Sequence, residues 1–344
     1  MNPIMALLII STLALGTIIT LSSYHWLLAW VGLELNTLAI IPLIAKHHTP
    51  RATEAATKYF LTQAAASAML LFASTTNAWT MGTWNIIEIS NPSASIMLTM
   101  ALAMKLGLAP LHFWLPEVLQ GTTLNTALII TTWQKLAPLT LLYLTHNALH
   151  PMMLLILAML SNLVGGWGGL NQTQTRKIMA FSSIAHLGWM AAILMLTPNI
   201  MLLNLLLYIF MTLPTFMLLM FLSAKTIQDL TTSWTVSPMT TALLLVLLMS
   251  LGGLPPLTGF LPKWLILQEL ASHNLTPMAM VMAMAALLSL FFYLRLTYMT
   301  TLTLHPTTTQ HKHKWRFYPK LNTTPMTSTL AISTLLLPMM PMFM

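Results

Sequence analysis

The sequence predicts an all-α integral membrane protein of about eleven transmembrane helices. Three observations carry that expectation. The 344-residue chain is 57% hydrophobic and only 6% charged, with a mean hydropathy of +0.77, whereas a soluble domain is about 25% charged. Its apolar runs are continuous rather than alternating, which argues against a β-barrel. At roughly 20 residues per span, the length holds about ten to twelve helices.

The apolar segments place spans near residues 3–21, 25–45, 58–78, 96–118, 124–144, 149–169, 178–196, 200–223, 240–270, 276–299 and 323–343. Loop charge fixes their orientation. Lys46, Arg51, Lys58, Arg176, Lys177, Lys225, Lys312, Lys314, Arg316 and Lys320 all fall on one set of alternating loops, and the opposite set holds no Lys or Arg. This asymmetry turns the N-terminus and the basic loops toward the negative compartment and the C-terminus toward the other side. Arg295 falls near the basic-side end of its span, where a snorkelling guanidinium explains it. The longest polar connection, residues 305–320, reads as a solvated loop, although its His and Lys cluster could also hold a metal or lipid headgroup.

Composition excludes several classes. There is no cysteine, so a disulfide framework, a thiolate metal site and iron–sulfur ligation are ruled out. The net charge of +8 is spread over short loops and does not point to nucleic acid. No basic presequence precedes the first span, so insertion from the compartment of synthesis is expected. The Met, Thr and Leu bias suggests an organelle-encoded product. The sequence carries no GxGxxG in a strand–helix context, no Walker motif, no nucleophile elbow and no metal cluster. The chain is therefore expected to bind neither nicotinamide nor flavin by itself.

Two segments repeat. LAPLHFWLPE at 108–117 aligns with LPPLTGFLPK at 254–263, an offset of 146, with Leu108, Pro110, Leu111, Leu115 and Pro116 matching Leu254, Pro256, Leu257, Leu261 and Pro262. They fall in spans 4 and 9, five spans apart, so they cross the membrane in opposite directions. That pattern predicts two inverted five-helix repeats, 1–145 and 146–300, then a basic loop at 301–322 and a C-terminal helix at 323–344, all within one transmembrane domain. Proline lacks an N–H and clashes with the carbonyl four residues back. Pro110 is therefore expected to free the carbonyl of Leu106, and Pro255 and Pro256 those of Leu251 and Gly252. Open carbonyls at membrane depth survive only against protein or water, so each break predicts a polar pocket, the usual place for a transporter's site. A kink without function is the alternative.

Four ionisable groups sit within these spans: Glu34, Lys105, Lys135 and Lys263. A charge at the centre of a membrane helix costs roughly 2.5–3.5 kcal/mol on insertion scales, and such groups usually line ion or proton paths. Glu34 and Lys105 are expected to form a pair that opens to release a proton, with a static pair locking two helices as the alternative. Lys135 lies mid-span, too deep to snorkel, whereas Lys263 lies close enough to a span end that snorkelling stays open. His112 and His186 could act as neutral relays or be ordinary hydrogen-bonded histidines.

KLGLAPLHFWLPEVLQG (105–121), SLGGLPPLTGFLPKW (250–264) and WVGLELNTLAIIPL (30–43) resemble the antiporter-like subunits of respiratory NADH:ubiquinone oxidoreductase (complex I), and the resemblance runs from end to end. It implies proton translocation, with Glu34 as the early-helix glutamate, Lys105 and Lys135 as the broken-helix and central lysines, and Lys263 as the late broken-helix residue. It further implies the animal mitochondrial form, which lacks the first three of fourteen spans, in the inner membrane with its N-terminus in the matrix and its C-terminus in the intermembrane space. The implied partners are the antiporter-like chain 4, small membrane chains, accessory subunits and lipids. FMN, iron–sulfur clusters and ubiquinone would belong to other subunits. A stand-alone cation/proton antiporter subunit is the alternative, and a non-conducting structural subunit a third reading.

Overall fold

The computed structural model describes residues 3–235, 237–302, 324–335 and 337–338. The basic loop containing Lys312, Lys314, Arg316 and Lys320 lies outside them, as do residues 323, 336 and 339–343 of the last expected span. The described chain is helical, with isolated β-bridges only at His25–Asn85 and Gln174–Thr226. Six helical stretches are long and apolar enough to cross a membrane: Pro3–Ser22, Trp26–Ile44, Leu124–Ala148, Pro151–Gly169, Pro198–Phe221 and Thr276–Thr301.

The chain divides into two compact units, residues 1–161 with 190–198, and residues 162–189 with 199–344. The helices run α1 (Pro3–Ser22), α2 (Trp26–Ile44), α3 (Pro50–Met81), α4 (Pro92–Leu106), α5 (Trp114–Gly121), α6 (Leu124–Thr131), α7 (Leu136–Thr145), α8 (Pro151–Gly169) and α9 (Thr175–Ile193). They continue as α10 (Pro198–Phe221), α11 (Ile227–Thr232), α12 (Pro238–Gly252), α13 (Phe260–Ser272), α14 (Thr276–Leu302) and α15 (Thr324–Leu335).

In the first unit, α1 packs on α2, and α3 packs on α2, α4 and α5. Gly16 and Gly32 let the first pair approach closely: a Cβ on Gly16 would lie 2.9 Å from the Gly32 carbonyl, and one on Gly32 2.8 Å from that of Gly16. Small residues serve this purpose where lipid supplies no hydrophobic drive between helices. α3 starts where Thr49 caps the N–H of Ala52 ahead of Pro50, a favoured start because proline's missing N–H is an orphan there anyway. In the second unit, α14 packs against α11, α12 and α13, and α12 also meets α15. The Thr258 hydroxyl donates to the carbonyl of Ser333 on α15.

The expected spans 4 and 9 are each two helices, α4 with α5 and α12 with α13. Their boundaries keep the repeat offset. Pro92, Leu106 and Trp114 begin α4, end α4 and begin α5, and 146 residues later Pro238, Gly252 and Phe260 do the same for α12 and α13. The first stop in each is a glycine, where the prolines had been expected to make it. Gly107 (φ +81°) and Gly253 (φ +82°) take the left-handed conformation that suits glycine. Gly107 and Leu108 donate back to Ala103; Gly253 and Leu254 donate to Ser250 and Met249. The prolines then prevent the helix from resuming.

A third interruption was not anticipated. The fifth expected span breaks at a short 3₁₀ turn, Trp133–Lys135, so Lys135 stands at the N-terminal boundary of α7 and not in the middle of a continuous helix. Pro138 explains it. It cannot donate to the carbonyl of Gln134 and is tolerated only in the first turn of a new helix. The hydroxyls of Thr131 and Thr132 bond back to Ala127 and Leu128, a pattern that bends helices.

Candidate functional site

All three intramembrane lysines are buried: Lys105 is 6%, Lys135 3% and Lys263 9% exposed. They fall in two places, one in each unit.

In the first unit, Lys105 lies in the last turn of α4, where a cation faces the negative end of the helix dipole. Trp114, the first residue of α5, donates from Nε1 to the carbonyl of Met104 at 3.1 Å, so a side chain from beyond the break caps the helix before it. Lys105 and Lys135 line a common cavity with Asn36, Gln63, Tyr59 and Gln134. About 20 Å³ of it is open to the centre of a water-sized sphere, enough for one water molecule. The amide of Gln134 reaches the Asn36 carbonyl at 3.4 Å, a long contact that links the break beside Lys135 to α2.

Glu34, also on α2, is the carboxylate whose charge reaches Lys105. The pair expected from the sequence is not closed: no ion pair joins them within 4.0 Å among the described residues. One Glu34 oxygen accepts from the Thr37 hydroxyl at 3.1 Å. The other, like the Lys105 ammonium, has no hydrogen-bond partner within the chain. His112 is buried in the segment between α4 and α5, with its ring 4.3 Å from Phe113 and its Nδ1 unpartnered.

In the second unit, Lys263 on α13 donates at 2.8 Å to the carbonyl of Gly252. This is one of the carbonyls that the Pro255–Pro256 break was expected to free. Lys263 therefore neutralises the C-terminal end of α12 from the far side of the break, and a snorkelling reading does not describe it. His186 lines the same pocket with Ser182, Trp189, Ser289 and Tyr293, and its ring lies 5.3 Å from that of Tyr208. Arg295 donates to the carbonyl of Leu170, just past the end of α8, at 2.6 Å.

Sequence reasoning missed two groups. Gln63 and Gln134 line the cavity of the first unit's lysines; the signal for them was polar side chains on otherwise apolar faces. It also missed a three-membered ionic cluster in which Lys58 bridges Glu54 at 2.5 Å and Glu117 at 2.6 Å, joining α3 to α5. Hydrogen bonding by Lys58, and then its charge, hold the Glu54 carboxyl below its usual range. Glu54 and Lys58 are four residues apart and legible as a helical pair; Glu117 is distant in sequence and was not. Among the described residues no three His, Asp or Glu side chains converge as a metal site.

Broken helices with buried lysines beside the breaks define an antiporter-like subunit of an ion-translocating membrane complex. Comparison with known proteins agrees. Residues 23–289 match the family described as NADH:quinone oxidoreductase/Mrp antiporter, transmembrane, and residues 290–344 match NADH dehydrogenase subunit 2 C-terminus. The chain is 56% identical over 342 residues to NADH-ubiquinone oxidoreductase chain 2 of Xenopus laevis, covering 99% of each. It superimposes on a chain of respiratory complex I from Thermus thermophilus with a TM-score of 0.80 at 26% identity, over 97% of this chain and 79% of that one. A chain of the membrane-bound sulfane sulfur reductase, an archaeal respiratory complex, shares the fold (TM-score 0.84, 18% identity, 96% and 72% covered).

The chain belongs to the NADH-ubiquinone oxidoreductase chain 2 family, the antiporter-like membrane subunits of complex I. It is a multi-pass membrane subunit of an enzyme that couples electron transfer to proton pumping.

Proposed function

We propose that this subunit carries protons itself, through Glu34, Lys105, Lys135 and Lys263, in the mitochondrial inner membrane. Electron transfer from NADH to ubiquinone takes place in other subunits, which hold the FMN and iron–sulfur clusters. Its energy drives protons here from the matrix to the intermembrane space. Glu34 gates Lys105: when the carboxylate is near, it holds the ammonium charged, and when it withdraws, Lys105 passes its proton to Lys135. Lys263 serves the exit side, with His186 in the same pocket, and His112 and His186 act as relays.

The observation that carries this reading is the shared cavity of Lys105 and Lys135. Two lysines that share a cavity at membrane depth disfavour each other's charged form, which favours a charge that moves between them. The separated Glu34 and Lys105 support a pair that opens.

The matched boundaries of α4–α5 and α12–α13 support two inverted repeats within an eleven-span domain, and the one-sided loop charge supports an N-terminus in the matrix. Chain 4, small membrane chains, accessory subunits and lipids are the neighbours this placement implies. The test is Lys105→Met in the assembled complex reconstituted into vesicles. Coupled turnover and the number of protons moved per electron should fall while assembly is preserved. A normal ratio would remove Lys105 from the path.

A further inference from the structure

The two helices that stop at a break, α4 and α12, are capped by different chemistry. The last carbonyls of a helix have no partner within it and form its negative end, and a nearby lysine can supply one. In the second unit the lysine does so: Lys263 donates to Gly252, the last residue of α12, at 2.8 Å. In the first unit the indole of Trp114 donates at 3.1 Å to Met104, in the last turn of α4. The Lys105 ammonium, carried by the very next residue, has no hydrogen-bond partner within the chain. The repeat offset of 146 sets Trp114 against Phe260, whose ring has no N–H to donate. The indole N–H is present in the unit whose lysine is unengaged, and missing at the matching position of the unit whose lysine is the cap.

We propose that Trp114 is a positioning residue: its indole takes the broken end of α4 and so keeps the Lys105 ammonium from being captured there, as Lys263 is captured at the end of α12. Hydrogen bonding to a charged form favours that form, so an ammonium seated on a fixed carbonyl is held to its proton, and one kept off it is free to exchange. Tryptophan suits the task because its ring carries one donor and no acceptor. It satisfies a carbonyl, offers Lys105 nothing to bond and takes up no proton itself. Packing fixes its place. Trp114 is 7% exposed, and its ring meets that of Tyr59 edge-on, with centroids 5.7 Å apart and planes at 66°. Both residues line the cavity of Lys105. A Cβ on Gly107 would lie 3.5 Å from Trp114 Cζ2, so the indole packs against the left-handed turn that stops the helix. Tyr59 on α3, Trp114 on α5 and the last turn of α4 are packed together, and the indole N–H ties one side of the break to the other.

The inference rests on Lys105 being a proton carrier, and the experiment separates the two. Trp114→Phe, in the assembled complex in vesicles, keeps an aromatic ring against Tyr59 and removes the N–H. Coupled turnover should fall about two- to tenfold, the shift in an equilibrium that one hydrogen bond produces. A high-resolution map of the variant should show Lys105 Nζ within hydrogen-bond distance of a carbonyl in the last turn of α4. In a Lys105→Met background the same change should lower turnover no further, whereas a merely structural role would lower it in either background. Normal turnover in Trp114→Phe with Lys105→Met impaired overturns the role of Trp114 and leaves Lys105 standing. An equal loss in both backgrounds, or a variant map with Lys105 still off the end of α4, also overturns it. Normal turnover in Lys105→Met removes the carrier and this inference with it. Should Trp114→Phe not assemble, the wild-type map decides: Lys105 Nζ bonded to the end of α4 with the indole in place overturns the proposal, and Lys105 Nζ off that end supports it.

Discussion

Gly253→Ala should damage the second unit through two separable effects. Gly253 sits at φ +82°, and a residue with a Cβ in that region loses about 1–2 kcal/mol. The new Cβ would also stand 2.9 Å from Cδ and Nζ of Lys263, so the lysine must swing away. Its 2.8 Å bond to the Gly252 carbonyl would then be lost, and a hydrogen bond to a charged group contributes about 1.5–3 kcal/mol. Together the change should cost about 2.5–5 kcal/mol. Gly82→Ala is the control. Gly82 is also left-handed at φ +72°, but its added Cβ meets nothing within 4 Å, so only the backbone effect of about 1–2 kcal/mol remains. The assay is the thermal midpoint of the purified complex, with the proton-to-electron ratio measured in vesicles. Gly253→Ala should lower both, and Gly82→Ala should lower only the midpoint, by less. Equal shifts in the two variants with unchanged pumping would refute the seating of Lys263 on the broken end of α12.

Lys58→Met should leave assembly and midpoint nearly unchanged, because Lys58 is 41% exposed at its side chain and its partners more so, and exposed pairs contribute about 0–1 kcal/mol. A loss well above that range would mean that the cluster joining α3 to α5 is buried by a neighbour. Thr226→Ala should cost about 1 kcal/mol in protection of α11, read by amide hydrogen exchange, since Thr226 and Asp229 form a reciprocal capping box. Burial pushes the Asp229 carboxyl up, but the N–H groups of Thr226 and Lys225, the Thr226 hydroxyl and the Lys225 charge outweigh it, so the net shift is downward. That contribution is present above the unfolded pKa near 3.8 and is lost as pH falls through the lower folded value. Protection of α11 should therefore fall in acid below about pH 4, and Asp229→Asn should abolish that pH dependence.

Much of this architecture was legible in the chain because membrane helices leave strong one-dimensional signals. Long apolar runs marked the spans, and prolines at a fixed offset marked both breaks. What the sequence misplaced has a local cause. At the breaks, Gly107 and Gly253 stop the helices before the prolines act, and a glycine inside an apolar span gives no sign of its φ. The break at Lys135 was hidden because Pro138 stands after it, where a proline is compatible with the first turn of a helix as well as with a kink. The charged members of the site stood out against an apolar background. Gln63 did not, since one amide in a membrane helix is unremarkable until the fold sets it in a cavity with a lysine. The partnership of Lys58 with Glu117 depends on α5 folding back along α3, which no local pattern encodes.

The central claim is that protons pass between Lys105 and Lys135 within this chain. A map of the assembled complex at a resolution that reveals hydration tests it most directly. The account predicts ordered water connecting the two ammonium groups through their common cavity. Apolar side chains closing the space between them, with no water in contact with either nitrogen, would contradict it.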